Sequence, residues 1–149
     1  MQPPCADRGR LVPGRGTVRG MSADDPAMPV LTATVLQSPD PVRLARFWGA
    51  LTGWVVHEDG PTWLRVRPAD GEVGLSVQYD DAYTAPTWPP TPGTQGMQLH
   101  LDLQVEDLGA ATARAVELGA TEAAFQPQDD VRVLLDPDGH PFCLFLPGA

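Results

Sequence analysis

Ala33-Thr34-Val35-Leu36-Gln37-Ser38-Pro39-Asp40 and His100-Leu101-Asp102-Leu103-Gln104-Val105-Glu106-Asp107 carry nearly the same message 67 residues apart. Both place Leu, Gln and Asp at matching points, and both lead into an apolar helical pattern that ends in Gly. Two copies of one supersecondary unit are implied. Copies of about 50 residues, each with a one-sided apolar sheet, cannot bury that face alone, so they are expected to pair around a shared cleft. The cleft is where function is to be sought.

In the first copy a β-branched, partly alternating strand is predicted from Val30 to Gln37. Asp40 is placed to accept from the first free helical amides, and Pro41 suits the first helical turn, where a missing N–H costs nothing. Leu44, Phe47, Trp48 and Leu51 make a one-sided stripe, and Gly53 can end the helix in a left-handed conformation. Strands follow over Trp54 to Glu58, Trp63 to Pro68 and Gly74 to Tyr79, separated by Asp59-Gly60-Pro61 and Asp70-Gly71, which favour tight turns. The unit reads βαβββ.

A linker at 81–96 carries Pro86, Pro89, Pro90 and Pro92, which forbid helix and favour an extended crossing. The second copy repeats the order. Met97 to Val105 is a strand, Asp107 caps a helix with Leu108, Ala111, Ala115 and Leu118 on one face, and Gly119 closes it. Strands near Thr121 to Gln126, Val131 to Leu135 and Phe142 to Leu146 complete it, with Asp136-Pro137-Asp138-Gly139 as the last hairpin turn. The domain is expected over 29–147, with modules at 29–80 and 97–147.

With 149 residues, 42% of them hydrophobic, the chain has room for one substantial core. Met1 to Gly20 is rich in Gly, Pro and Arg without apolar periodicity, so residues 1–28 are expected to be a disordered extension, with an overcalled start before Met21 or Met28 favoured over a basic interaction tail. No apolar run approaches the ~20 residues that cross a bilayer, and no secretion signal is recognisable, so a cytoplasmic location without membrane contact is expected. Cys5 and Cys143 do not suggest a disulfide framework. The net charge is −9, and residues 21 onward hold six arginines against eighteen acids, a net of −12. Such a body repels nucleic-acid phosphate. Gly-rich phosphate loops, paired-Cys zinc ribbons and Gly-x-Ser-x-Gly elbows are missing, which leaves nucleotide, zinc-finger and hydrolase functions without support.

Strand parity says what lines the cleft. From Leu99 to Val105 the odd residues are apolar, while His100, Asp102 and Gln104 share the other face. By the same alternation Cys143 and Phe145 point inward, as do Ser76 and Gln78. Trp48 is assigned to the core beside Phe47; Trp54, Trp63 and Trp88 are candidates for the rim, where they would offer stacking surface. His57 and His140, next to turns, are expected to be solvated.

The paired units, the helix carrying Phe47-Trp48 and leaving through Leu51-Thr52-Gly53-Trp54, the His100-Leu101-Asp102-Leu103 strand, the Leu118-Gly119-Ala120 exit and the Asp136-Pro137-Asp138-Gly139 hairpin together resemble the vicinal oxygen chelate superfamily, the glyoxalase/bleomycin-resistance/extradiol-dioxygenase group, and within it glyoxalase-like domain proteins. The resemblance implies an α+β fold in which two βαβββ modules form an open, cup-shaped, eight-stranded barrel with helices outside, and a homodimer. It also implies metal donors on the first, fourth, fifth and eighth strands, here Ala33, approximately Gln78, His100 and Cys143. Ala33 has no donor atom, and Gln78 is a weak neutral ligand. His100 and Cys143 with Asp102 would make at most a soft zinc set, so no metal cofactor is expected; a divalent ion, if held, would sit on His100, Gln78 and Cys143. Ligand-binding residues are therefore expected to be His100, Asp102, Gln78, Cys143, Trp54 and Trp63. The leading function is binding of a small organic molecule, a drug or a metabolite, in the cup. The alternatives are a metal-dependent lyase, isomerase or dioxygenase, and a non-catalytic dimerising module.

Overall fold

The computed structural model describes residues 29–71 and 73–149; the expectation for residues 1–28 lies outside the described residues. The first module runs β1 (Ala33–Ser38), α1 (Pro41–Thr52), β2 (Val55–Gly60), β3 (Trp63–Arg67) and β4 (Gly74–Tyr79). The second runs β5 (Leu101–Gln104), α2 (Leu108–Glu117), β6 (Thr121–Glu122), β7 (Val131–Leu135) and β8 (Pro141–Phe145). Each makes one four-stranded sheet, ordered β1-β4-β3-β2 and β5-β8-β7-β6, with the outer pair β1–β4 or β5–β8 parallel and the rest antiparallel. The two βαβββ units are thus present as a topological repeat.

The eight strands do not close into one hydrogen-bonded barrel. Among the described residues the two sheets share no ladder, and β1 and β5 remain separate edges, so the cup is open. Three strands are shorter than the sequence suggests: β1 starts at Ala33, β5 at Leu101, and β6 has two residues where six were expected. Beyond Glu122 the polar Gln126 folds back instead. Its amide donates to the carbonyls of Ala123 and Val133 and its carbonyl accepts from Val133 N–H, so one side chain replaces strand pairing.

Both helices start and stop for local reasons. Asp40 accepts from Arg43 N–H at 3.1 Å and Asp107 from Ala110 N–H at 2.9 Å, each satisfying an amide that the helix leaves without a partner. Gly53 ends α1 at φ 74°, where a Cβ would be strained, and its N–H returns to the Gly49 carbonyl at 2.9 Å. Leu44, Phe47 and Trp48 are buried from α1, and burial of each such side chain contributes about 1.5–3 kcal/mol. They meet Leu64, Val66, Leu75 and Val77 of the first sheet and Phe142 and Leu144 of the second in one core. Phe47, Trp48 and Phe142 pack edge to face with centroids 5.1–6.1 Å apart. Helix α1 therefore binds the modules together. No helix among the described residues is long and apolar enough to cross a membrane.

Candidate functional site

Strand register aligns the two modules residue by residue. Val35 lies opposite Ser76 on β1–β4, and Asp102 lies opposite Cys143 on β5–β8, the same 67-residue offset in both strands. Ser76, rather than Gln78, is thus the counterpart of Cys143, and Gln78 is the counterpart of Phe145. The sequence-based placement of Gln78 is corrected by two residues. Alternation keeps both on the same face, which is why parity alone could not separate them.

The helix faces of the two sheets are alike, but the cup faces are not. On the second sheet Val131, Val133, Cys143 and Ala123 are buried in a small apolar cluster, covered by Trp88, Phe145 and Ala149. Register makes Trp63 the counterpart of Val131 and Arg65 the counterpart of Val133. This face of the first sheet is open, with Val35, Val55 and Trp63 exposed at 43%, 52% and 37%. Arg65 pairs with Asp59 through Nε and Nη2 at 2.5 and 2.9 Å. That hydrogen-bonded guanidinium holds the Asp59 carboxyl below the usual carboxylate range and raises Arg65 in return.

Between the β1 and β5 edges lies a cavity of roughly 480 Å³. Leu36, Trp48 and Leu101 give it apolar walls, and Gln37, Gln78 and His100 give it polar ones. The linker closes one side with Tyr83 and Gln95. The last hairpin supplies His140, which is not solvated as its place beside a turn suggested: its side chain is only 17% exposed. Its Nδ1 lies 2.9 Å from Asp136 Oδ2, and its Nε2 lies 3.1 Å from the Tyr83 hydroxyl. Asp136 also accepts from Trp48 Nε1 at 3.2 Å and from the amides of Asp138 and His140 at 3.0 and 2.9 Å. Asp138 beside it accepts from Ser38 and Arg43. Buried carboxylates survive only with this kind of support. Burial, with the charges of Asp136 and Asp138, pushes the Tyr83 phenol well above its ordinary value. Both Tyr83 and His140 were missed in the sequence; the Asp-Pro-Asp-Gly-His-Pro run was legible only as a turn.

The sequence-derived residues divide among several places. His100 and Gln78 both line the cavity. Asp102 lies 3.2 Å from His100 Nε2 through Oδ1, and donor atoms of His100, Asp102 and Cys143 lie within 4.8 Å of one another. Trp63 shares the cup face with Gln78, its register partner. Trp54 goes elsewhere, packing beside Leu51 and Val105 on the helix side. Trp88 covers the second sheet and donates from Nε1 to the Phe125 carbonyl at 3.1 Å.

Residues 33–145 match the glyoxalase-like domain family. The chain belongs to that family. It is thereby a member of the vicinal oxygen chelate superfamily. The glyoxalase-like domain is similar in fold to a glyoxalase/bleomycin resistance protein/dioxygenase family enzyme from Burkholderia phytofirmans PsJN, at 17% identity and TM-score 0.61, covering 78% of this chain and 97% of that one. A glyoxalase-related enzyme from Fulvimarina pelagi aligns at 18% identity and TM-score 0.58, covering 80% and 88%. An antibiotic binding protein from Streptomyces sp. CB03234 aligns at 22% identity and TM-score 0.51, covering 82% and 98%. No curated protein matches.

The four-strand chelate associated with the superfamily does not fit these residues. Its positions hold Ala33, Ser76, His100 and Cys143 once register is applied. Alanine offers nothing, and the Ser76 hydroxyl accepts from the Arg67 guanidinium at 3.2 Å, a cation that would oppose a second one. The three donors His100, Asp102 and Cys143 all come from the second module, and they are the thiol, imidazole and carboxylate types that suit zinc.

Proposed function

We propose that this glyoxalase-like domain is a small-molecule binding protein, holding an organic drug or metabolite in its cup without a metal ion. The cavity of roughly 480 Å³ between the β1 and β5 edges carries the reading. Its volume falls within the range of small-ligand sites, and apolar walls with a few directional groups are how such sites combine affinity with orientation. Leu36, Trp48 and Leu101 supply apolar contact, and Gln37, Gln78, His100 and Tyr83 supply hydrogen bonds. Asp102 orients His100, Trp63 offers a stacking surface beyond Gln78, and Cys143 backs the His100 wall; Trp54 supports the fold behind it. The likeness in fold to the Streptomyces antibiotic binding protein supports the same reading. A cytoplasmic homodimer belongs to the proposal on the strength of the family resemblance, and light scattering of the purified chain tests the dimer.

A second reading, metal-dependent lyase, isomerase or dioxygenase chemistry, is favoured by one observation, the His100, Asp102 and Cys143 donors within 4.8 Å of one another. Thermal-shift measurements with drug-like aromatics and keto-aldehydes, in the presence of a chelator, separate the readings. A ligand that binds the folded chain and not the unfolded one raises Tm, and the rise grows with the logarithm of its concentration once that exceeds Kd. The proposal expects such compounds to work with chelator present and to fail in Gln37→Trp, which fills the cavity. Shifts that need an added divalent ion and vanish in His100→Ala would replace it with the metal reading. No shift from any compound would leave a dimerising module.

A further inference from the structure

Arg67 stands at the end of β3, on the open cup face, where its guanidinium lies across Gly74. A Cβ on Gly74 would come within 3.0 Å of Arg67 Cδ and 3.1 Å of Nη1, so glycine is what lets the side chain lie there. Nη1 donates to the carbonyls of Val66 and Leu75, and Nη2 donates to Ser76 Oγ. These bonds use three of the five guanidinium N–H groups and fix the plane of the fork. Among the described residues its hydrogen-bond partners are neutral oxygens, whereas Arg65 beside it binds Asp59 directly, a carboxylate that also feels the Arg67 charge. Ser76, which Arg67 touches, is flanked on its own face by Val35 and Gln78, and both of those line the cavity. Trp63 lies opposite Gln78 on the same surface.

We infer that Arg67 is an anion anchor and that the ligand of the cup is a planar aromatic acid, its ring against Trp63 and the cavity wall and its carboxylate on the guanidinium. The inference rests on the cup-binding reading and deepens it by naming the charge of the ligand. A held arginine fork matches a carboxylate in shape as well as charge, and the ordering cost has already been met by the bonds to Val66, Leu75 and Ser76. The acidic body does not forbid this. Exposed charges beyond about 10 Å are largely screened at 0.1 M salt, and the nearby carboxylate of Asp59 is already paired with Arg65, so the Arg67 guanidinium dominates its surroundings. The first module thereby holds a fixed cation where the second holds His100 and Cys143, and an anionic group suits it better than a metal does.

The test uses the full chain with 2-naphthoate, its neutral counterpart 2-naphthamide and the cation 2-naphthylmethylamine, read by calorimetry and by quenching of tryptophan fluorescence. The expected order is naphthoate tighter than naphthamide by about tenfold or more, with the amine weakest. Raising salt from 20 to 500 mM should weaken naphthoate and leave naphthamide unchanged, a readout that needs no variant. Arg67→Gln should reduce naphthoate to the level of naphthamide, and Arg67→Lys should restore part of the difference, with thermal melts confirming that both variants are folded. Equal binding of acid and amide, preference for the amine, or a naphthoate preference that survives Arg67→Gln would overturn the anion anchor while leaving cup binding intact. Failure of all three probes to bind would overturn the cup-binding reading and the anchor together.

Discussion

Trp48 Nε1 donates to Asp136 Oδ2 at 3.2 Å, joining the first helix to the last hairpin across 88 residues of chain. Trp48 is 1% exposed and its ring rests on Phe142, so one side chain supplies both apolar and polar contact between modules. Trp48→Phe keeps most of the apolar area and removes the donor. Loss of about 1–3 kcal/mol is expected, measured as a lower denaturant midpoint with an unchanged m-value. A loss below about 0.5 kcal/mol would mean that the remaining donors suffice for Asp136.

Gly74 is constrained by contact and not by a left-handed backbone. A Cβ there would stand 2.4 Å from the Val66 carbonyl oxygen, which is backbone and cannot turn away. Gly74→Ala is expected to cost about 1–3 kcal/mol through overpacking and to displace Arg67. Thermal melting together with naphthoate binding checks both effects; an unchanged Tm would show that β3 and β4 separate without strain.

Alkaline pH should act through Tyr83. Its phenol is raised in the folded chain, by burial first and then by the charges of Asp136 and Asp138, above the ordinary value of about 10 that the unfolded chain would show. A raised acid contributes stability that is complete below the unfolded value and is lost as pH climbs from there toward the folded one, because only the unfolded chain can release the proton. Urea midpoints measured between pH 8 and about pH 11 should fall in the wild type above about pH 10, and the fall should be smaller in Tyr83→Phe. Parallel curves for the two proteins would remove Tyr83 as the cause.

Cys143 is 3% exposed among Val131, Val133 and Ala123. A thiol in such surroundings is shielded from reagents. In a Cys5→Ser background, labelling of Cys143 by Ellman's reagent should be slow in buffer and fast in denaturant, following unfolding. Rapid labelling of the native chain would indicate an accessible nucleophile beside His100.

Much of the fold was legible because its signals are local. Asp40 and Asp107 are caps wherever the chain goes afterwards, Gly53 can leave a helix as few residues can, and alternation packs Leu101, Leu103 and Val105 against the core, although Leu99, expected on that face, is exposed and lines the cavity. The site was legible in part. His100 and Gln78 were found through parity, but parity carries no register, so Ser76 and Gln78 looked equivalent until β1 and β4 were paired. His140 and Tyr83 gave no periodic signal at all. Their meaning depends on the linker crossing the last hairpin, a contact between residues 57 apart.

The sequence by itself determined two βαβββ units with their caps and turns, because side-chain type and spacing act over a few residues. The tertiary structure alone decided which of the two cup faces stays open. The second sheet is filled by Trp88, Phe145 and Ala149, while the first leaves Val35, Val55 and Trp63 exposed on the same face. That choice follows from how distant segments pack, since burial is a property of the assembled surface and no stretch of chain holds it alone.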